Sequence, residues 1–430
     1  MCTDRRDFLR LSAGIAGATL FGSTLAHADA EPLEPSPQQG NQPEAIRRLK
    51  RMTDKVVPIT MEERQARIEK AQKLMREQRI DAIYLEPGTS MSYYTGMRWG
   101  TSERMFAAVI PARGELAWVC PKFEEERARE LIKMGTDIRT WEEDESPFKR
   151  VAEIFRDRGI RTGTVGFEER CRFFLFEGIR KAAPALKYVE ATSITAGCRM
   201  FKSPAELALM QIANDITIEA YKATRDSMTE GMTQGEFSNN CSAAFRALGS
   251  SGGIFVSFGK YTAFPHGSST PQRLKEGDVV LMDGGCSIDG YQSDITRTFV
   301  FGKPTDRQRQ IWDLERKSQD AGFAAAKVGA PCEAVDAAAR KVITDAGFGP
   351  DYKVPGLPHR TGHGIGMDGH EWTNFVRGNK TPIQPGMCFS DEPTVVIYGE
   401  FGIRLEDCLY ITESGPKFFT KQSESIDEPF

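Results

Sequence analysis

Residues 277–302, GDVVLMDGGCSIDGYQSDITRTFVFG, put acidic residues where a strand should be apolar. Val279-Val280-Leu281-Met282 reads as a buried strand, yet the run ends on Asp283, and the next β-patterned run starts at Asp294. Gly284, Gly285 and Gly290 fill the connection and suit a turn. A hairpin here sets Asp283 and Asp294 side by side at the mouth of a sheet. Adjacent carboxylates repel, and burying them unpaired forces one to protonate unless something positive is present. The competing reading is that both simply cap turns, for which Asp is well suited.

A second stretch decides between the two readings. In MCFSDEPTVVIYGEFGIRLEDCLYIT (387–412), Glu392 follows Met387-Cys388-Phe389, and Glu406 interrupts the run 403–411. Glu is depleted in strands, so two in neighbouring β-patterned runs ask for a partner. Arg404 lies two residues from Glu406 and so shares its face. A salt bridge from Arg404 to Glu392 or Glu406 satisfies one carboxylate, not four. The chain has five histidines, His27, His266, His359, His363 and His370, and the last four fall in the region of these carboxylates. His363 stands in Thr361-Gly362-His363-Gly364-Ile365-Gly366, where the glycines leave room for close approach, here expected to be that of a metal centre and a substrate. Two Asp, one His and two Glu form an oxygen-rich set with a single imidazole. That mix suits two divalent ions such as Mn, Co, Fe or Zn bridged by carboxylates, and not a cysteine-rich structural zinc.

Outward from this region, Ser203-Pro204-Ala205-Glu206 is a capping box that opens a helix to about Met228. Thr233-Gln234-Gly235-Glu236 and Thr305-Asp306-Arg307-Gln308 open two more, and a fourth is expected at 332–346. β-rich stretches lie between them, so helix pairs alternate with strand pairs twice and hint at an internal duplication. Upstream, Thr60-Met61-Glu62-Glu63 opens a helix to about residue 79, followed by strands at 81–85, 105–110, 116–120 and 163–167 and helices at 122–134 and 147–158. Alternating strands and helices over 60–195 predict an α/β domain; the later segments predict an α+β domain.

Composition bounds the rest. A formal charge of -4 over 430 residues, with both signs dispersed, leaves no basic stripe for nucleic acid. Eight of nine cysteines lie beyond the N-terminal segment, scattered without a C-x-x-C, which argues for small buried hydrophobes over a disulfide framework. The N-terminus joins Arg5-Arg6 to a Gly/Ala-rich apolar run that ends at Ala26-His27-Ala28. This resembles a twin-arginine export signal, a receptor-read address rather than an anchor, and predicts a periplasmic protein with no membrane attachment after cleavage. The resulting division is a signal over 1–30, a flexible leader over 31–58, an N-terminal domain over 59–198, a catalytic domain over 199–420 and a tail over 421–430.

Asp283, Asp294 ten residues on, His363 in HRTGHGIGMDGHE, Glu392 in DEP and Glu406 in GIRLEDCLYIT together resemble the pita-bread metallopeptidases, peptidase family M24. That family includes Xaa-Pro aminopeptidases, Xaa-Pro dipeptidases (prolidases) and methionine aminopeptidases. Residues 60–195 resemble the creatinase/prolidase N-terminal domain, which methionine aminopeptidases lack. The resemblance implies a metal-dependent Xaa-Pro peptidase that cuts before proline in a peptide substrate, and a homodimer. It implies that Asp283 and Asp294 hold one metal, most readily Mn, and that Asp294 and Glu406 bridge to a second completed by His363 and Glu392. A bridging hydroxide then attacks, with Glu392 as base. His266 in AFPHG matches a histidine that stabilises the tetrahedral intermediate, and His370 matches one near the substrate carbonyl and leaving group. His359 matches a supporting position, and Arg404 is grouped with the catalytic residues. Thr394 stands where the family often has Gly, and Gly369 where it has an aliphatic residue, which puts the substrate preference in question. Same-fold alternatives are a creatinase-like C–N hydrolase, a dimethylsulfoniopropionate lyase and a ligand-stripped binding protein; the intact ligand set and the two histidines favour the peptidase.

Overall fold

A computed structural model describes residues 42–430; the export-signal segment and leader residues 31–41 lie outside the described residues. No helix among the described residues is long and apolar enough to cross a membrane. The first sheet has six strands, β1 (Ala82–Leu85), β2 (Ala107–Pro111), β3 (Ala117–Pro121), β4 (Asp137–Trp141), β5 (Thr164–Phe167) and β6 (Lys187–Glu190), in the order β4-β3-β2-β1-β5-β6. Alternation along β1 divides its side chains between two cores. Ile83 and Leu85 pack with Ile68, Met75 and Ile194 of the helices Met61–Gln78 and Thr192–Arg199. Ala82 and Tyr84 pack with Ile154, Phe155 and Ile179 of the helices Pro147–Asp157 and Phe173–Ala182. Helices on both faces explain why the central strands read as unbroken apolar runs.

In the second half, the helices Pro204–Asp226 and Gln234–Ala247 pack on a sheet of β7 (Ser251–Phe258), β8 (Val279–Ile288), β9 (Tyr291–Gln292) and β10 (Ile295–Val300). Its order is β10-β8-β7, with β9 against β8. The helices Asp306–Ala325 and Glu333–Asp345 follow. Next come β11 (Gly362–Gly364), β12 (Glu371–Phe375), β13 (Cys388–Asp391), β14 (Thr394–Ile397), β15 (Phe401–Arg404), β16 (Asp407–Thr412) and β17 (Gly415–Phe418). β12-β11-β13-β16-β17 form one sheet and β14-β15 a hairpin. The expected capping boxes at Ser203, Thr233 and Thr305 are all formed.

Several details depart from expectation. β8 does not end at Asp283 but continues to Ile288, so Gly284 and Gly285 lie within the strand. Asp283 pairs across the ladder with Thr296, not Asp294. Asp294 immediately precedes β10, two residues from Thr296 and hence on its face. Residues 42–58, expected in a flexible leader, pack onto the second half: Ile46 is fully buried in its core, and Met52 N–H donates to Leu248 O at 2.9 Å. The terminal segment 421–430 also folds back, burying Ile426 beside Trp312 and pairing Asp427 with Arg309. The eight cysteines among the described residues are free, and seven are buried, as small hydrophobes should be.

The Ser203 cap joins the two halves. Its Oγ accepts from Glu206 N–H at 3.3 Å and donates to Glu63 Oε1 at 2.7 Å. Ser203→Ala is expected to lower stability by about 1 kcal/mol, read as a lower urea midpoint with an unchanged slope; an unchanged midpoint refutes it.

Candidate metal centre

The five expected ligands converge on one cavity of about 350 Å³, lined by Asp283, Asp294, His363, Glu392 and Glu406 together with His266, His359, Arg360, His370 and Arg404. Asp283 comes from mid-β8 and His363 from the centre of β11. Glu392 directly follows β13 and Glu406 directly precedes β16, so neither is a strand residue, contrary to expectation. An isolated bridge, Thr296 to Glu406, ties the two sheets together at the site.

Three overlapping triads each have ligand atoms within 4.8 Å of one another: Asp283, Asp294 and Glu406; His363, Glu392 and Glu406; and Asp294, His363 and His370. The first two hold all five expected ligands and share Glu406. His363 Nε2 lies 3.1 Å from Glu392 Oε1 and 3.8 Å from Asp294 Oδ2, while its Nδ1 is 3.1 Å from Gly364 O. With Nδ1–H donated to that carbonyl, Nε2 faces the carboxylates; burial opposes charge on the ring, but Glu392 and then Asp294 raise its value, so without a cation the proton sits between Nε2 and Glu392.

The electrostatics call for a cation. Burial, then the Asp283 charge, pushes Asp294 up to about 7. Burial, then Asp294 and Glu392, raises Glu406 well above the carboxylate range. Burial also works against charge on Glu392, but the adjacent His363 more than offsets it and holds the carboxyl low. Thr296 Oγ1 lies 2.8 Å from Asp283 Oδ1 and 2.7 Å from Glu406 Oε2 while it accepts from Arg404 Nε at 3.0 Å. One hydroxyl proton cannot serve two carboxylates. Glu406 Oε1 is buried with no partner at all. An orphaned carboxylate oxygen, an imidazole nitrogen aimed at carboxylates and surplus negative charge fit divalent cations, and the oxygen-rich donors suit hard or borderline metals.

Arg404 meets Asp283, with Nη2 to Oδ2 at 2.5 Å, rather than Glu392 or Glu406. Its Nη1 donates to Pro265 O at 3.0 Å, so each of its nitrogens is engaged, and it serves as counter-ion to a candidate ligand. The glycines of 361–366 also differ in purpose from expectation. A Cβ at Gly362 would lie 2.1 Å from Ser390 O, and one at Gly366 would lie 2.6 Å from Lys202 Cε. They admit a neighbouring strand and a lysine, not the metal or substrate.

His370 stacks on His363, with ring centroids 3.8 Å apart and planes at 21°. Arg360 Nη2 approaches its Nδ1 to 2.8 Å. A guanidinium only donates, so Nδ1 accepts and the proton sits on Nε2. Burial, then His363 and Arg360, lowers His370 to about 4. Arg360 was not singled out from the sequence. Its partner is ten positions away, and nothing in the local pattern marks it. His359 has Nδ1 2.7 Å from Arg360 O and a buried, unpartnered Nε2. His266 is exposed at the cavity rim. A Cβ added at Gly369 would meet nothing, so the missing aliphatic side chain leaves open space beside His370.

An α/β domain leading into an α+β domain whose cavity gathers four carboxylates and four histidines defines a metal-dependent hydrolase. Residues 208–413 match the model of metallopeptidase family M24, and residues 67–201 match the creatinase/prolidase N-terminal domain. An uncharacterized peptidase of Schizosaccharomyces pombe is 34% identical, over 84% of this chain and 82% of its own. The Xaa-Pro dipeptidase of Lactobacillus helveticus is 31% identical, over 84% and 98%. The crystal structure of dipeptidase PepE from Mycobacterium ulcerans superposes with a TM-score of 0.79 at 29% identity, over 86% and 98%. The chain belongs to metallopeptidase family M24 and carries its pita-bread catalytic domain.

Proposed function

We propose that this metallopeptidase is an Xaa-Pro dipeptidase that hydrolyses the bond before proline, with Asp283, Asp294, His363, Glu392 and Glu406 holding two divalent ions, Mn first among Mn, Co, Fe and Zn. The observation that carries the two-ion reading is the pair of triads sharing Glu406. Dipeptidase is chosen over aminopeptidase because the Lactobacillus helveticus relative of that name aligns over almost its whole length. When bound, the ions supply an acidified water and a polarised scissile carbonyl.

The chain's own residues supply the rest. Glu392, kept ionised beside His363, takes the proton of the attacking water. His370 stays neutral and presents Nε2–H to the negative charge that grows on the substrate carbonyl or leaving group. His266 lies on the cavity rim, which supports the role the family resemblance gives it, donation to the tetrahedral intermediate. Arg404 orients Asp283 and balances charge beside it. Export through the twin-arginine-like signal and a homodimer complete the proposal; they are supported by Arg5-Arg6 and by the family resemblance.

The decisive experiment compares Ala-Pro with Ala-Pro-Pro using the Mn-loaded protein. Proline release from Ala-Pro is expected, lost with EDTA and restored by Mn or Co. Activity that survives EDTA removes the metal mechanism. Hydrolysis of neither peptide moves the assignment to a small non-peptide metabolite.

A further inference from the structure

The segment that carries His370 is gripped from behind by residues outside the cavity. Glu371, the first residue of β12, is buried, and its Oε1 accepts the N–H groups of Met367 at 3.0 Å and Asp368 at 3.2 Å. Its Oε2 accepts from Lys202 Nζ at 2.9 Å, and both side chains are only 2% exposed. Lys202 lies between the helices Thr192–Arg199 and Pro204–Asp226, where the two halves of the chain join. Arg199 reinforces the grip, 3.3 Å from Asp368 and 3.8 Å from Glu371. Thr89 donates to Asp368 at 2.6 Å, and Arg170 approaches it to 3.2 Å. The lysine passes only because residue 366 is glycine; a Cβ there would lie 2.6 Å from Lys202 Cε and 2.7 Å from Glu371 Oε2.

A buried ion pair is weak evidence for stability, since desolvation offsets much of the attraction; its best-attested use is to fix a geometry. The geometry fixed here is the turn 366–371, whose inner side presents the His370 ring to His363. We propose that Lys202 and Glu371 form a positioning clamp through which the segment joining the two halves holds His370 over the metal centre. The inference rests on the role given to His370 above. Lys202 touches neither the cavity nor the candidate ligands, so it acts only through the turn.

The test is Lys202→Gln in the full Mn-loaded enzyme and in a His370→Ala background. With Ala-Pro, kcat is expected to fall by about tenfold or more, because small misplacements near reacting atoms are costly, while KM and bound metal stay within about twofold. In the His370→Ala background the same substitution should change kcat by less than about twofold. Equal losses in both backgrounds, or an unchanged kcat in the first, overturn the proposal. A second readout is independent of turnover. In zinc-loaded protein the His370 imidazole signal carries a ring-current shift from His363, and Lys202→Gln should reduce it; an unaltered shift overturns the clamp even where His370→Ala proves fully active and the catalytic reading itself has failed. Should Lys202→Gln not fold, Lys202→Gln/Glu371→Gln keeps an acceptor for Met367 and Asp368 and pairs two amides. It is expected to keep the His370 shift and a kcat within about threefold of the wild type, and a tenfold loss with the shift intact overturns the proposal.

Discussion

Asp294→Ala and Glu406→Ala are each expected to abolish metal binding and lower activity by about a thousandfold or more, equivalent to about 4 kcal/mol of transition-state stabilisation. Yet each should leave the metal-free protein at least as stable as the wild type. The loss follows from position: Glu406 belongs to both triads that carry the two-ion reading and Asp294 to one of them, so removing either leaves a ligand set incomplete. The gain follows from charge. Metal-free, these carboxylates share one cavity with His363 and Arg404, and burial with mutual repulsion raises both Asp294 and Glu406. A raised folded-state pKa means that the folded state binds protons the unfolded chain has released. The metal-free wild type should therefore lose stability as pH rises from about 4, the unfolded carboxylate value, to about 7, the folded value of Asp294. Asp294→Ala should flatten that decline. Scanning calorimetry with and without Mn tests both halves, because a ligand that binds only the folded state raises its melting temperature. A variant that Mn still stabilises, or one that melts well below the metal-free wild type, contradicts this account of the site.

The anomalies that made the centre legible were polar residues in apolar runs. Asp283 at the end of Val279–Met282 and Glu406 between Ile403 and Ile411 have no reason to be there except a buried partner. Local patterning placed them less well. Gly284 and Gly285 read as a turn but lie inside β8, because their spacing alone does not distinguish a bend from close packing of strands. Tertiary burial overrode propensity at Thr89–Thr95, where two tyrosines and two threonines form a helix that was not expected. The leader departs from expectation for a related reason: Pro and Gln dominate its start, but Ile46, with Leu49 and Met52 beside it, supplies apolar anchors that find the second-half core. Arg360, Lys202 and Glu371 were invisible for another reason. Each acts through a partner that only the fold brings near, and isolated charged residues carry no periodic signal.

His370→Ala is expected to retain metal and lower kcat by about a hundredfold or more, the typical loss on deleting a positioned acid or electrostatic stabiliser. The ring is not a metal ligand in either triad that shares Glu406, so its removal leaves those donors intact. What it removes is a hydrogen-bond donor with a fixed direction: Arg360 occupies Nδ1, the stack on His363 fixes the plane, and Nε2–H is left to point into the cavity. The pH profile separates this role from that of a protonated acid. With its value lowered to about 4, His370 is neutral through the working range, so it donates as imidazole rather than as imidazolium. The acidic limb of kcat/KM should then keep its midpoint in His370→Ala while the plateau drops. His370→Gln, which restores a donor without the ring, should recover part of the loss. A limb that disappears with His370 assigns it the proton after all. Full activity in His370→Ala would leave the stacked ring, and the arginine that orients it, without a part in the reaction.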